Sequence, residues 1–177
     1  MDRRAPDYSI VVPAYDEELL LGETLARLRQ AMGASPLLGE IVVCDNNSTD
    51  RTATVATEAG ARVVFEPVNQ IARARNTGAR AARGRFLVFV DADTVVPPAL
   101  LGHALESLLS GRACGGGAEV VMEGVDGLSC HLVALWNAFS RWRRLAAGSF
   151  VFVLREAFVA VGGFSESVYA SEEIWLS

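Results

Sequence analysis

The chain has 177 residues and a net charge of −5, a size that suits one domain with a single hydrophobic core. All 16 basic residues are arginines. The lack of lysine excludes both Schiff-base chemistry through lysine and the lysine-containing Walker phosphate loop. The acidic balance gives no support to nucleic-acid binding, whereas arginine leaves phosphate recognition open.

Hydropathy and cysteine placement suggest where the protein works. No apolar run approaches the roughly 18 residues that cross a bilayer, and no basic segment followed by an apolar stretch opens the chain. We therefore expect a cytoplasmic protein, with peripheral attachment to the inner face of the membrane as an alternative. Cys44, Cys114 and Cys130 have no CxxC spacing, which favours reduced thiols over disulfides or a zinc site.

The first half of the chain alternates between short apolar runs, which predict strands, and segments of helical periodicity. The predicted strands are Ser9–Val12, Glu40–Cys44, Ala61–Phe65 and Phe86–Val90, and the predicted helices are Leu19–Met32, Thr52–Ala59 and Ala72–Arg83. Ser48 or Thr49 is expected to cap the second helix. This alternation predicts an α/β fold with a mostly parallel sheet and right-handed crossovers.

The second half has a different pattern. It predicts a helix from Pro97 to Leu109, strands over Ala118–Met122 and Ser149–Leu154, and a tight turn at Gly162–Phe164. Between the strands, apolar residues of Leu128–Leu145 recur on one helical face, with arginines near its end. We favour a helix packed on the core; the alternatives are a helix at a membrane surface or one covering an acceptor site.

Two carboxylates directly follow the fourth predicted strand, in Asp91-Ala92-Asp93. Open α/β sheets bind ligands just beyond the carboxyl ends of their strands. Mg²⁺ and Mn²⁺ are commonly held there by one or two carboxylates together with substrate phosphates. The pattern predicts a metal–diphosphate site, and the alternative is a turn in which Asp91 caps the next segment and Asp93 is solvated.

Four separated segments resemble, in order, the family 2 glycosyltransferases with the GT-A fold: SIVVPAYDEE, EIVVCDNNSTDRT, ARARNTGARAARGRFLVFVDAD and VGGFSESVYASEE. The resemblance implies a Rossmann-like domain over 1–177, with a nucleotide-sugar-binding half in 1–93 and an acceptor-side half in 94–177. The implied reaction moves a sugar from a nucleotide-diphosphate donor, expected to be UDP-linked, to an acceptor hydroxyl with inversion. A divalent cation, Mn²⁺ or Mg²⁺, assists it.

The resemblance also assigns residues to the donor. The nucleotide-sugar contacts are expected from Pro13, Ala14, Tyr15, Glu17, Asp45, Asn46, Arg73, Arg75, Asp91 and Ala92. Tyr15 would flank the base or ribose, and Asn46 replaces an aspartate of the family, which leaves the base open. The alternative for 45–50 is a polar turn in which Asn47 takes positive φ and Asp50 favours a helix N-terminus.

For the diphosphate, the resemblance makes Asp93 the direct metal ligand. Asp91 would support the metal through bound water or contact the ribose. Arg75 is the better basic candidate, for contact with the diphosphate or with Asp91.

The catalytic base is expected at Glu173, with Glu172 as the alternate. The family usually has an aspartate there, in a Glu-Asp pair after the Gly-Gly-Phe turn. The alternative is a solvated acidic patch before a helix.

Three classes of function remain open on the sequence. The first is an active glycosyltransferase that acts on a polysaccharide, a lipid-linked sugar or a small metabolite, either with a minimal acceptor half or as a fragment of a longer protein. The second is a nucleotide-sugar-binding module that no longer transfers. The third, a sugar nucleotidyltransferase, ranks last because it normally shows a glycine-rich phosphate loop and a lysine after the first strand.

Overall fold

A computed structural model describes residues 5–118 and 149–167. The strands are β1 (Tyr8–Ala14), β2 (Gly39–Asp45), β3 (Arg62–Phe65), β4 (Phe86–Val90), β5 (Gly115–Gly117) and β6 (Phe150–Leu154). The helices are α1 (Leu21–Gly33), α2 (Thr52–Glu58), α3 (Ile71–Ala81), α4 (Pro98–Leu109) and α5 (Arg155–Ala160). The strands form one sheet in the order β3-β2-β1-β4-β6-β5.

The sheet is covered on both faces, which explains why its central strands read as continuous apolar runs. Ile10 and Val12 of β1 pack in the cluster that contains residues of α1 and α4, whereas Val11 packs in the cluster with α3 and α5. Successive side chains of a strand point to opposite faces. The core therefore has two halves, one on each side of the sheet.

Strand direction defines where a ligand would bind. The first four strands are parallel, with β1 between β2 and β4. The chain thus proceeds to one side of β1 and then returns to its other side, which makes the β1–β4 border the point where the strand order reverses. In such sheets the crevice beyond the carboxyl ends at this border is the usual binding site.

The structure confirms the predicted alternation, adds a strand and a short helix, and corrects the cap of α2. A strand lies at Gly115–Gly117, directly before the segment in which one was expected, Ala118–Met122. Residues 119–122 are outside the described ranges, so that expectation stays a prediction. A Cβ on Gly116 would come within 2.8 Å of the Phe152 ring, so close contact with β6 favours glycine in β5. The short α5 has no counterpart in the prediction.

The correction concerns the cap of α2. Neither Ser48 nor Thr49 caps it; the Asp50 carboxylate instead accepts the Thr52 amide, at 2.8 Å. Ser48 and Thr49 bond the loop after β1. The N-cap residue of α2 is Arg51, which makes no side-chain capping bond. Asp50 lies at the helix N-terminus, as the polar-turn alternative expected, and Asn47 has the expected positive φ of 65°.

The described cysteines are free thiols. Cys44 is buried and Cys114 is exposed. Burial, followed by the charges of Glu66 and Asp45, raises the pKa of Cys44 to about 12. The Cys44 thiol is therefore protonated at neutral pH. Cys130 is outside the described residues.

Within 5–118 and 149–167, no helix combines the length and the apolar character needed to cross a bilayer. The segment Leu128–Leu145, for which a membrane or acceptor-side role was an alternative, lies outside these ranges.

Candidate active site

A cleft of about 620 Å³ lies at the carboxyl ends of β1 and β4. It is lined by Pro13, Ala14, Tyr15, Glu17, Asn46, Asn69, Gln70, Ile71, Asp91, Ala92 and Asp93. These residues come from the ends of β1, β2 and β4 and from the start of α3. The cleft therefore occupies the crevice that the strand order predicts.

The loop after β1 is held in place by the loop after β2. Asp16 has a positive φ of 52°, and its carboxylate accepts the Thr49 amide at 2.7 Å. The amides of Glu17 and Glu18 donate to Thr52 Oγ1 and Asp50 Oδ2, at 2.8 and 3.0 Å. These bonds fix the backbone that presents Glu17 and the half-exposed Tyr15 to the cleft.

Asn46 fixes the opposite wall through its side-chain amide, which is 5% exposed. Its Nδ2 donates to the carbonyls of Glu66 and Val68, at 3.2 and 2.6 Å, and its Oδ1 accepts the Gln70 amide at 3.0 Å. Both amide hydrogens are thus used to hold the 66–70 loop, so in this conformation they are not offered to a nucleotide base. The amide does what the family's aspartate could not do, because a carboxylate has no hydrogens to donate.

The floor of the cleft is acidic. Burial, followed by the charges of Asp93, Asp50 and Asp91, raises the pKa of Glu17. Glu17, Asp91 and Asp93 are the charged residues among the described lining of the cleft, and no basic residue is among them. An anionic diphosphate would be repelled here without a cation between it and the carboxylates.

Asp91 and Asp93 differ in their surroundings. Asp91 Oδ1 accepts Arg75 Nη2 at 2.8 Å, and the Arg75 side chain is only 2% exposed. Asp93 is exposed to solvent. These hard carboxylate oxygens suit Mg²⁺ or Mn²⁺, and Asp93 is the more accessible of the two. Within 5–118 and 149–167, no group of three or more His, Cys, Asp or Glu side chains is placed to hold a metal. Mg²⁺ commonly keeps water ligands and binds substrate phosphates beside one or two carboxylates.

Most of the sequence-predicted residues come together. Those that line the cleft are Pro13, Ala14, Tyr15, Glu17, Asn46, Asp91, Ala92 and Asp93. Asp45 is buried and accepts the Ser48 amide at 3.1 Å. Arg73 pairs with Glu166 at 3.2 Å, and Arg75 lies behind Asp91. The expected contact between Arg75 and Asp91 is confirmed. Glu172 and Glu173 lie outside the described residues.

Three lining residues, Asn69, Gln70 and Ile71, were not anticipated from the sequence. They follow β3 and begin α3, and the carboxyl end of β3 meets the same edge of the sheet as those of β1 and β2. That shared edge was the available signal. Positions 69–71 carry no charged residue, so the sequence has no motif that marks them as a site.

The chain belongs to glycosyltransferase family 2: the family model described as Glycosyl transferase family 2 matches residues 9–153. One curated relative is validoxylamine A glucosyltransferase of Streptomyces hygroscopicus subsp. limoneus, 34% identical over 123 residues. That match covers 66% of this chain and 26% of the relative.

Two solved structures share the fold. Glucosyl-3-phosphoglycerate synthase of Mycobacterium tuberculosis, in complex with Mn²⁺, UDP and glucosyl-3-phosphoglycerate, is 25% identical with a TM-score of 0.64. The match covers 86% of this chain and 58% of that one. A mannosyltransferase of Pyrobaculum calidifontis, in complex with GDP-Man and Mn²⁺, is 22% identical with a TM-score of 0.72 and covers 97% and 51%. The chain thus spans about half of these structures and about a quarter of the curated relative. The likeness confirms the GT-A fold.

Proposed function

We propose that this chain provides the donor site of a glycosyltransferase that moves a sugar from a nucleoside diphosphate sugar to an acceptor hydroxyl, with inversion and with a divalent cation. One observation carries the proposal: an acidic cleft, with an exposed Asp93 and a half-buried Asp91, lies where the strand order reverses. Family membership supplies the reaction class. The two halves, 1–93 for the donor and 94–177 for the acceptor, remain part of this proposal.

The residues present fit a bound cation. Asp93 would be the direct ligand and Asp91 its support, since Arg75 already engages one Asp91 oxygen. When bound, such a cation offsets the negative charge that develops on the departing diphosphate. The protein's own contribution is to hold both carboxylates at one edge of the sheet and to keep Tyr15 beside the cleft for the base or ribose.

UDP is the donor nucleotide we expect. The Mycobacterium tuberculosis synthase, which was solved with UDP and Mn²⁺, supports this choice. Guanosine and thymidine nucleotides are the runners-up, because the hydrogens of the Asn46 amide are bonded to the 66–70 loop and do not select a base. We propose the exposed Asn69 of the cleft lining for that selection, because the Gln70 side chain is bonded to the Glu166 carbonyl and to Arg73.

Transfer requires a base for the acceptor. The acceptor oxygen attacks the anomeric carbon, the bond from that carbon to the diphosphate breaks, and the hydroxyl proton passes to a carboxylate. We assign this role to Glu173, with Glu172 as the alternate. Glu173→Gln should reduce transfer strongly and leave donor affinity nearly unchanged. A larger effect of Glu172→Gln would move the base to that residue.

A thermal-shift screen tests the donor site. Nucleoside diphosphates and their sugars are added with Mn²⁺ or with a chelator, and a ligand that binds only the folded chain raises its melting temperature. We expect UDP or a UDP-sugar to give the largest shift, and only with Mn²⁺. If no nucleotide gives a metal-dependent shift, the proposed donor site is wrong. Donor hydrolysis or transfer by the same sample separates an enzyme from a module that only binds.

A further inference from the structure

The turn at Gly162–Glu166 is built into the core next to the cleft. Gly162 and Gly163 have φ values of 83° and 80°, a backbone region that favours glycine. They turn the chain so that the Phe164 ring packs edge-on against Phe89, with centroids 4.8 Å apart. Phe164 is therefore buried.

Asn76 of α3 holds the backbone of Phe164 on both sides. Its Oδ1 accepts the Phe164 amide and its Nδ2 donates to the Phe164 carbonyl, both at 3.0 Å. Nδ2 also bonds Glu166 Oε1 at 3.0 Å. We call the two bonds between Asn76 and the Phe164 backbone the Asn76 clamp. A Cβ on Gly163 would come within 2.7 Å of Asn76 Oδ1, so the clamp needs both the side-chain amide of Asn76 and a glycine at position 163.

The residue before Asn76 connects this turn to the cleft. The Arg75 guanidinium carbon lies 5.2 Å from the centroid of the Phe164 ring, and its Nη2 lies 2.8 Å from Asp91 Oδ1. A desolvated guanidinium over an aromatic face gains attraction from the ring and little from water. The position of the ring therefore helps to define where the guanidinium, and through it the Asp91 carboxylate, can lie.

We propose that Asn76 is a positioning residue for the donor site: by clamping Phe164, it seats the ring against Arg75 and so orients the Asp91 carboxylate. The inference rests on the proposed function only in that Asp91 serves a cation and a diphosphate. Without the clamp, Phe164 and Arg75 gain freedom together, and the carboxylate is held less firmly. Small displacements at such a site have large effects on ligand interactions.

The ligand test compares Asn76→Ser with a control in the same turn. Glu166→Ala removes the Arg73 ion pair and one bond to Asn76 but leaves the Asn76 clamp intact. We expect Asn76→Ser to weaken UDP binding in Mn²⁺ by about tenfold, and Glu166→Ala by less than about twofold. In an Asp91→Asn background, Asn76→Ser should have no further effect. An equal loss in both backgrounds would overturn the inference, because a purely structural role acts in both.

A double-mutant cycle on stability needs no ligand. It therefore tests the inference even if the chain binds no nucleotide and the proposed function fails. The unfolding equilibrium of the free chain is measured in urea for Asn76→Ser and Asp91→Asn, singly and together. We expect Asn76→Ser to shift the equilibrium at least about tenfold less in the Asp91→Asn background. Equal shifts would overturn the inference. If Asn76→Ser does not fold, Phe164→Leu takes its place, because it keeps both backbone bonds to Asn76 but removes the ring from Arg75.

Discussion

The two edges of the sheet both collect charged residues, but they use them differently. At the amino ends of the strands, Glu40 accepts Ser9 Oγ and the Arg83 amide, at 2.8 and 2.6 Å, and lies 3.8 Å from Arg62. At the carboxyl ends, Glu17, Asp91 and Asp93 face a cleft whose described lining has no basic residue. The carboxylate at the amino ends is satisfied within the protein. At the carboxyl ends Arg75 engages one oxygen of Asp91, and Asp91 lines the cleft together with Glu17 and Asp93, where a ligand could reach them.

Two arginines at the amino ends of the strands also bond the last turn of α3. Arg62 Nη2 donates to the carbonyl of Ala81 at 2.6 Å, and Arg155 Nη1 donates to that of Ala79 at 3.1 Å. Both carbonyls lie at the end of α3, where the last turn has no partners of its own. Arg62 and Arg155 therefore have a structural role at the end of α3.

The largest effect should come from the exposed carboxylate. Asp93→Asn removes the proposed direct ligand, so UDP affinity in Mn²⁺ should fall about a hundredfold, or about 2.8 kcal/mol. The free energy of unfolding should change by less than about 0.5 kcal/mol. Calorimetry and urea unfolding measure the two quantities. A variant that binds as well as the wild type would show that Asp93 is not a ligand.

Asn46→Asp should be the most destabilising change in the cleft wall. It removes both donors to the Glu66 and Val68 carbonyls and places a buried charge beside them, at a cost of about 2 kcal/mol. The matched control is Asn47→Asp, the same change one residue on, where the side chain is exposed. Equal unfolding midpoints for the two variants would contradict the assigned contacts.

Glu40→Ala probes the opposite edge. Loss of its carboxylate leaves Ser9 Oγ and the Arg83 amide without this acceptor, which should cost about 1.5 kcal/mol of unfolding free energy. UDP affinity should stay within about twofold of the wild type. Glu58→Ala, on the exposed face of α2, is the surface control and should change stability by less than about 0.5 kcal/mol. A loss of UDP affinity in Glu40→Ala would remove the distinction between the edges.

The smallest effect is a difference in pH dependence between two glutamates of the carboxyl edge. Burial alone would raise the pKa of Glu66, but hydrogen bonds from Thr77 Oγ1 and the Val68 amide hold it below its ordinary value. Its stabilisation is therefore present above about pH 4.5 and is lost as the pH falls further. Glu66→Gln should lower stability at neutral pH and flatten its decline in acid.

The pKa of Glu17 is shifted in the opposite direction, above its ordinary value. Because its pKa is raised, its ionisation disfavours the folded state at neutral pH, and protonation relieves that repulsion as the pH falls. Glu17→Gln should thus raise the melting temperature slightly at pH 7 and have less effect in acid. Melting curves of Glu66→Gln and Glu17→Gln across the acid range measure whether each substitution lowers or raises the melting temperature. A change of melting temperature in the same direction for both variants at pH 7 would contradict the contrast between the hydrogen-bonded Glu66 and Glu17, which lies among acidic charges.

The sequence predicts features that depend on one segment at a time. Phe86–Val90 is apolar on both faces because both are covered, so the strand and the carboxylates after it could be placed without a structure. The contact of Arg75 with Asp91 was anticipated as one of two possibilities from the family resemblance. The structure contains the contact with Asp91, and contact of Arg75 with a diphosphate stays a prediction.

Features that depend on distant partners could not be predicted. Gly115–Gly117 has little strand propensity, and its strand exists because β6 offers a ring and a backbone that only glycine can approach. The bonds that tie the Asn46 amide to the 66–70 loop join segments about 20 residues apart, so no pattern in the sequence indicates them. Contact of Asn46 with a base stays a prediction. The roles of Asn69 and Asn76 likewise depend on which loops meet at the cleft.

The most direct test is the linkage between Mn²⁺ and UDP on the unmodified chain. UDP is titrated calorimetrically at increasing Mn²⁺ and in a chelator, at constant ionic strength so that screening does not change. A cleft floored by three carboxylates predicts that UDP affinity rises at least about a hundredfold as Mn²⁺ saturates the site. Equal UDP affinity in Mn²⁺ and in chelator would contradict a cation-bridged donor site.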